Sequence, residues 1–331
     1  MPIFGLGGNK VRGGATASSP SRGARPPRAR ILAADGDREL YAVLQAAEAR
    51  DWPAVRELLS KYSGNDLSTL IAGLCNKESL AEWLPEAIGE ESEDAVGRAV
   101  LGAEAIGRAW RVRTAQRAAH VSQEQFREFH RILREAEEHL YAAAELDPRS
   151  AAPWHSLLVS GRGLQVGMEI QQRRFEAVLE RSPDHLRAHQ QMLQQLCRKW
   201  SGSHERMHAF ATEAMRGPYG DELGVLIPRA YYEHYGDLPQ NSPERAFIRS
   251  AESRAELQEA ADRTIFRPGY RPARDPHAAA NVFAWTFTAA RMWPQARAAF
   301  EASAGVVVDW GGFADPAAVY LRQRDLAYKN S

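Results

Sequence analysis

Lys199-Trp200-Ser201-Gly202-Ser203-His204-Glu205-Arg206-Met207-His208-Ala209-Phe210-Ala211 sets a Gly/Ser turn between two helical patterns, and its two readings lead to different proteins. As chemistry, His204-Glu205-Arg206-Met207-His208 spells H-E-x-x-H. On a helix this puts two imidazoles one turn apart, where they can hold zinc while the Glu takes a proton from a metal-bound water. As architecture, the same stretch is the turn and second helix of a helical hairpin. Ser201 or Ser203 then caps the helix, Glu205 sits at the positive end of its dipole, and Met207 and Phe210/Ala211 face the core.

The architectural reading accounts for more residues. A zinc site needs three protein ligands and an open position, and the third ligand on offer is Glu233, with Asp237 behind it. Arg206 puts a charge between the two His, the pair falls on the first turn of its helix, and no sheet pattern accompanies it. The zinc-dependent hydrolase, with His204, His208 and Glu233 as ligands and Glu205 as base, therefore stands as the alternative. Under the main reading no residue is catalytic, no metal or cofactor is expected, and His204 bonds a nearby backbone carbonyl. His189 fills the slot between paired helices, while His185, near the start of its helix, lies far from His204.

Outward from this stretch a period emerges. Pro148, Pro183 and Pro218 are 35 residues apart; Leu140, Phe175 and Phe210 precede them by eight, and Gly161, Leu196 and Tyr231 follow by thirteen. Self-similarity at this spacing signals stacked helical hairpins. Asp147-Pro148, Trp154 and Leu157/Leu158, followed by Phe175 with Ala177 and then Ser182-Pro183, resemble the tetratricopeptide repeat in a degenerate form over Pro148 to about Tyr235. His189 and Gly224 stand where that pattern has an aromatic. The Lys199–Ala211 stretch also resembles K-W-x-G-S-H-E-x-M-x-x-F-A of a group of uncharacterised, largely actinobacterial proteins. The likeness extends to the C-terminal hairpin and Trp310-Gly311-Gly312, and implies no activity.

The tetratricopeptide resemblance implies an all-α, right-handed solenoid of hairpins that binds with the concave surface of its first helices. That register selects His155, Arg162, Arg187, Gln190, Gln194, Arg198, Arg229, Tyr232 and Glu233. Such a row of basic and amide side chains suits a carboxylate, an acidic peptide or a phosphate backbone.

Similar hairpins lie at both ends, because Arg50-Asp51-Trp52-Pro53 is mirrored by Arg291-Met292-Trp293-Pro294. Asn65-Asp66 caps a short helix, a longer one runs from about Glu93 to Ala119, and Ser122-Gln123-Glu124-Gln125 is a capping box. Ser242-Pro243-Glu244 opens a charged helix to about Asp262, followed by a loop rich in Pro and Arg. Val306-Val307-Val308 is too isolated to imply a sheet. The organisation expected is a disordered arm over 1–34 and a helical-repeat body over 35–331. The clearest repeats cover 122–235, the charged helix and loop 242–275, and the C-terminal hairpin 276–304.

The bulk numbers fit this picture. A chain of 331 residues with 44% hydrophobic content can fill a large core. Lys+Arg and Asp+Glu balance at 42 each, so no overall field favours nucleic acid or an anionic membrane. The balance conceals an arm carrying Lys10, Arg12, Arg22, Arg25, Arg28 and Arg30 with no acid, which makes the rest mildly acidic. Nucleic-acid binding through this arm and the Arg-rich face is a second alternative. Cys75 and Cys197, each within an apolar helical pattern, indicate reduced cysteines. No apolar run reaches membrane-spanning length, and the glycine-rich opening is no signal core. The expectation is a cytoplasmic, non-enzymatic scaffold or adaptor that offers its concave face to a protein or peptide partner, acidic if the face is read correctly.

Overall fold

The computed structural model describes residues 26, 28–76, 78–89, 93–114, 121–200, 202–270, 272, 274, 277–308, 310 and 315–331. Among these the chain is all-α, with sixteen α-helices and short 3-10 turns, and its one extended pairing is a parallel bridge between Arg30 and Val306. No described helix is long and apolar enough to cross a membrane.

The Lys199–Ala211 stretch joins α9 (Leu186–Gln195) to α10 (His204–Arg216). Ser203 caps α10 by accepting the Arg206 N–H at 3.3 Å, while Ser201 lies outside the described residues. Gly202 is needed for close approach, since a Cβ there would stand 1.8 Å from the Leu196 carbonyl oxygen. Met207 and Ala211 are fully buried, and Phe210 packs edge-on against Phe175 at 5.8 Å with His189 lodged beside both rings. The 35-residue register thus brings Phe175 and Phe210 into contact, and it buries Leu140 at the same position of the preceding helix pair.

Other consecutive helices pair in the same manner. α1 (Arg38–Glu48) packs on α2 (Trp52–Leu59), α5 (Ala95–Arg113) on α6 (Gln123–Leu146), and α7 (Ala152–Leu164) on α8 (Met168–Leu179). Past the short α11 (Gly220–Leu223), α12 (Leu226–Asp237) packs on α10. α14 (Ala278–Ala289) packs on α15 (Trp293–Ala302), which in turn holds α16 (Pro316–Asn330). A buried ion pair spans three successive helices: Arg174 of α8 reaches past α7 to Glu137 of α6 at 2.8 and 2.9 Å and also donates to the Leu157 carbonyl. Gly161 makes room for it, because a Cβ there would lie 2.5 Å from an Arg174 nitrogen.

Contacts also link elements far apart in sequence. α3 (Gly64–Cys75) touches α5, α7 and α9, whereas a simple row of repeats contacts only its neighbours. Asn65 does not cap α3; its side chain accepts the backbone N–H of Arg187 at the start of α9, at 3.0 Å, and Ser68 bonds His185. Described residues near the two ends of the chain meet as well. Arg30 N–H donates to the Gly305 carbonyl and the Arg30 carbonyl accepts from Val307 N–H, so the expected arm boundary at residue 34 falls beyond an ordered pairing. The rest of the arm, residues 1–25 and 27, lies outside the described residues. Arg274, its side chain 8% exposed, sits over the Tyr62 ring and near Asp37, Glu39 and Asp66, fastening the C-terminal loop to the first helices.

Two elements differ from expectation. The helix expected from Ser242 to Asp262 is a 3-10 segment, Pro243–Arg249, followed by α13 (Ala251–Arg263). Ser250 interrupts it by taking an extended conformation and capping α13 through the Ser253 N–H. α16 follows an Asp315 cap that the sequence reading passed over.

Candidate binding groove

The inner faces of α3, α5, α7, α9, α12 and α14 line three adjoining cavities. One of about 490 Å³ lies between α3, α5, α7 and α9, one of about 220 Å³ between α9, α12 and α14, and one of about 190 Å³ between α3, α9, α12 and the start of α14. The first and second share Gln191, the first and third Arg187, and the second and third Gln190 and Arg229. α9 is thus the common wall of all three.

Of the nine residues expected on the concave face, Arg187, Gln190, Gln194, Arg229, Tyr232 and Glu233 line these cavities, together with His155. His155 is buried, at 3% exposure, and stacks on His185. Arg162 packs over the Trp200 ring and donates to Gln191 Oε1 at 2.9 Å; burial pushes its guanidinium down to about 10, still charged at neutral pH. Arg198, exposed and paired with Asp237 at 2.8 Å, lines a further cavity of about 280 Å³ with Tyr232, Glu233 and His204. Its position beyond Cys197, past the end of α9, puts it on the His204 side of Tyr232 and Glu233. Glu233 accepts from Gln194 and from Lys199 Nζ, so its charge is met within the protein.

The register missed residues from other elements. Trp285 and Asn281 of α14, Trp310, and Trp110 and Arg111 of α5 also line the cavities. α14 is apolar on nearly every face, so no polar stripe marks its inner side. Asn281 is its one buried amide: it accepts from the Trp310 indole N–H at 2.6 Å and donates to the Val306 carbonyl at 2.9 Å. That pair of bonds clips the 306–310 segment to α14 and fixes Trp310 at the cavity wall.

The histidines of the H-E-x-x-H motif face α12. His204 Nε2 donates to Asp237 Oδ2 at 2.9 Å, not to a backbone carbonyl as the sequence suggested. His208 Nε2 shares a hydrogen bond with His234 Nδ1 at 3.1 Å, and the His204 and His234 rings lie 3.7 Å apart. Glu233 turns away toward Lys199, and Glu205 is exposed, its carboxyl held below the usual range by the Ser203 hydroxyl. His204, His208 and Glu233 therefore do not converge. Among the described residues no group of three or more His, Cys, Asp or Glu side chains is placed to hold a metal ion.

Electrostatically the interior favours neutral imidazoles. Burial, reinforced by Arg187 and His189, pushes His185 down to about 4; burial with His204 and His208 nearby does the same to His234, while His155 is lowered well below its ordinary value. His185 Nδ1 accepts the Ala188 N–H, so its proton sits on Nε2 and is donated to Ser68. The two cysteines are free and buried, and burial raises both thiols. No protein-family model matches the chain, and no curated protein matches it significantly.

Proposed function

We propose that the protein is a non-enzymatic scaffold or adaptor whose helical hairpins stack in a tetratricopeptide-like manner and whose inner helices bind an acidic segment of a protein partner. The observation that carries this reading is the continuity of the groove. Cavities on both sides of α9 share Arg187, Gln190, Gln191 and Arg229, so guanidinium and amide groups follow one another along a single path. Guanidinium groups bind carboxylates bidentately, and amides adapt to backbone and side-chain acceptors. Trp285 and Tyr232, edge to face at 4.7 Å, offer an apolar anchor beside that path.

The test is direct binding of a short, fluorescein-labelled Glu-rich peptide, compared with its Gln and Lys counterparts, by fluorescence anisotropy. The Glu peptide should bind selectively, weaken as salt rises, and be lost in Arg187→Ala/Arg229→Ala but not in Arg206→Ala on the outer helix α10. Equal binding of the Gln peptide, or retention by the double variant, would refute the reading.

A further inference from the structure

We infer that the cavity of about 220 Å³ between α9, α12 and α14 receives a single aromatic side chain of the partner segment; this rests on the acidic-segment reading above and names the residue that fixes its register. The volume falls short of the roughly 300–1,000 Å³ of small-molecule sites and has the scale of one side chain. Its walls are rings. Trp285 of α14 and Tyr232 of α12 meet at 73° with centroids 4.7 Å apart, and Leu193 and Val282 supply aliphatic surface beside them.

This aromatic corner is set before anything enters it. Tyr235, one turn along α12 from Tyr232, packs edge-on against the same Trp285 ring at 5.2 Å. Trp310, 3% exposed, is pinned at the wall by the bond from its indole N–H to Asn281 at 2.6 Å. Rings already held in place lose little freedom when a ligand arrives. A further ring entering a right-angled corner meets one wall face to edge and the other alongside, the arrangements that aromatic pairs prefer at roughly 4.5–7 Å between centroids. An aliphatic side chain would bury area there without that pairing.

The polar groups of the lining argue against other occupants. Glu233 accepts from Lys199 Nζ at 2.8 Å and from Gln194, so its charge does not call for an ammonium group between the rings. Gln191 Oε1 is taken by Arg162 at 2.9 Å, and Asn281 is committed to Trp310 and Val306, which leaves too few amide partners for the hydroxyls of a sugar. Gln190 and Arg229 line both this cavity and the neighbouring one that holds Arg187 and Arg274. In the partner, the aromatic residue therefore adjoins the acidic run.

The probes are fluorescein-labelled peptides with a short run of Glu followed by Trp, Leu or Ala, and a fourth in which Gln replaces Glu ahead of Trp. Each is titrated into the full chain and followed by fluorescence anisotropy. The Glu–Trp peptide should bind at least about tenfold more tightly than Glu–Ala and about threefold more tightly than Glu–Leu. Trp285→Leu should collapse the Trp-over-Ala ratio toward one, whereas Trp285→Phe, which keeps a ring, should retain most of it; urea unfolding checks that both variants fold. Equal binding of the Trp and Ala peptides, equal binding of Trp and Leu, an unchanged ratio in Trp285→Leu, or no binding of any peptide would overturn the assignment. If Glu–Ala binds selectively and Trp adds nothing, the aromatic pocket is wrong and the acidic reading stands. If the Gln–Trp peptide binds as well as Glu–Trp and both depend on Trp285, the pocket stands and the acidic reading falls.

Discussion

The Glu137–Arg174 pair is the sharpest test of how α6, α7 and α8 hold together. Its side chains are 15% and 5% exposed, and Arg174 also donates to the Leu157 carbonyl and to the Tyr141 hydroxyl. Removing one partner of a buried pair strands the other charge, at roughly 3–5 kcal/mol. Because Ser160 still donates to Glu137, and Tyr141 and Leu157 still accept from Arg174, the low end applies, about 3 kcal/mol for Arg174→Met or Glu137→Leu alone. The double variant leaves no stranded charge, so its loss should fall short of the sum by at least about 1.5 kcal/mol. Urea unfolding followed by far-UV circular dichroism measures all four species. The coupling should persist at high salt, since a pair this far from solvent is weakly screened. Additive losses, or singles within about 0.5 kcal/mol of wild type, would show that the pair is not a structural bond.

Two further outcomes follow from individual positions. Gly202→Ala should cost about 3 kcal/mol or more, because its Cβ would fall 1.8 Å from backbone that cannot rotate away, whereas Gly236→Ala in α12, with nothing within 4 Å of the new methyl, should gain up to about 1 kcal/mol; chemical denaturation of both tells close approach from helix propensity. For pH, His185 takes its proton near 6.5 when unfolded and near 4 when native, so the unfolded chain binds more protons between these values and stability falls as pH drops through that window. At pH 5 this one residue should lower stability by about 2 kcal/mol relative to pH 8. His185→Asn, which keeps a capping side chain but does not titrate, should flatten that part of the profile; an unchanged pH dependence would show that the imidazole is not held neutral.

How far the sequence could be read follows from the range of each signal. Local backbone chemistry was legible in detail. The likeness of Arg50-Asp51-Trp52-Pro53 to Arg291-Met292-Trp293-Pro294 extends to the backbone, where Arg50 and Arg291 take φ of 55° and 56° and the following residue donates five positions back in both turns. Both helices thus end in a left-handed residue followed by the same reversal. The Ser122 capping box and the Phe175–Phe210 contact were legible for the same reason, since both depend on short or periodic spacing.

What was not legible depends on partners that neither short spacing nor the 35-residue period points to. Asn65 reads as a cap from its neighbours alone, yet its oxygen serves Arg187; His155 reads as a groove residue from the register, yet α3 and His185 bury it. The same contacts create the candidate sites. Without α3 against α7 and α9, the 490 Å³ cavity would be an open face, and without Asn281 holding Trp310, the cavity beside α12 would lose one wall. The periodic part of the sequence supplies Arg187, Gln190 and Arg229 at the right spacing. The non-periodic ends supply the enclosure that turns an ordinary solvated helix face into a set of cavities, which is why ligand specificity should respond to substitutions in α3 and α14 as well as to those in α9 and α12.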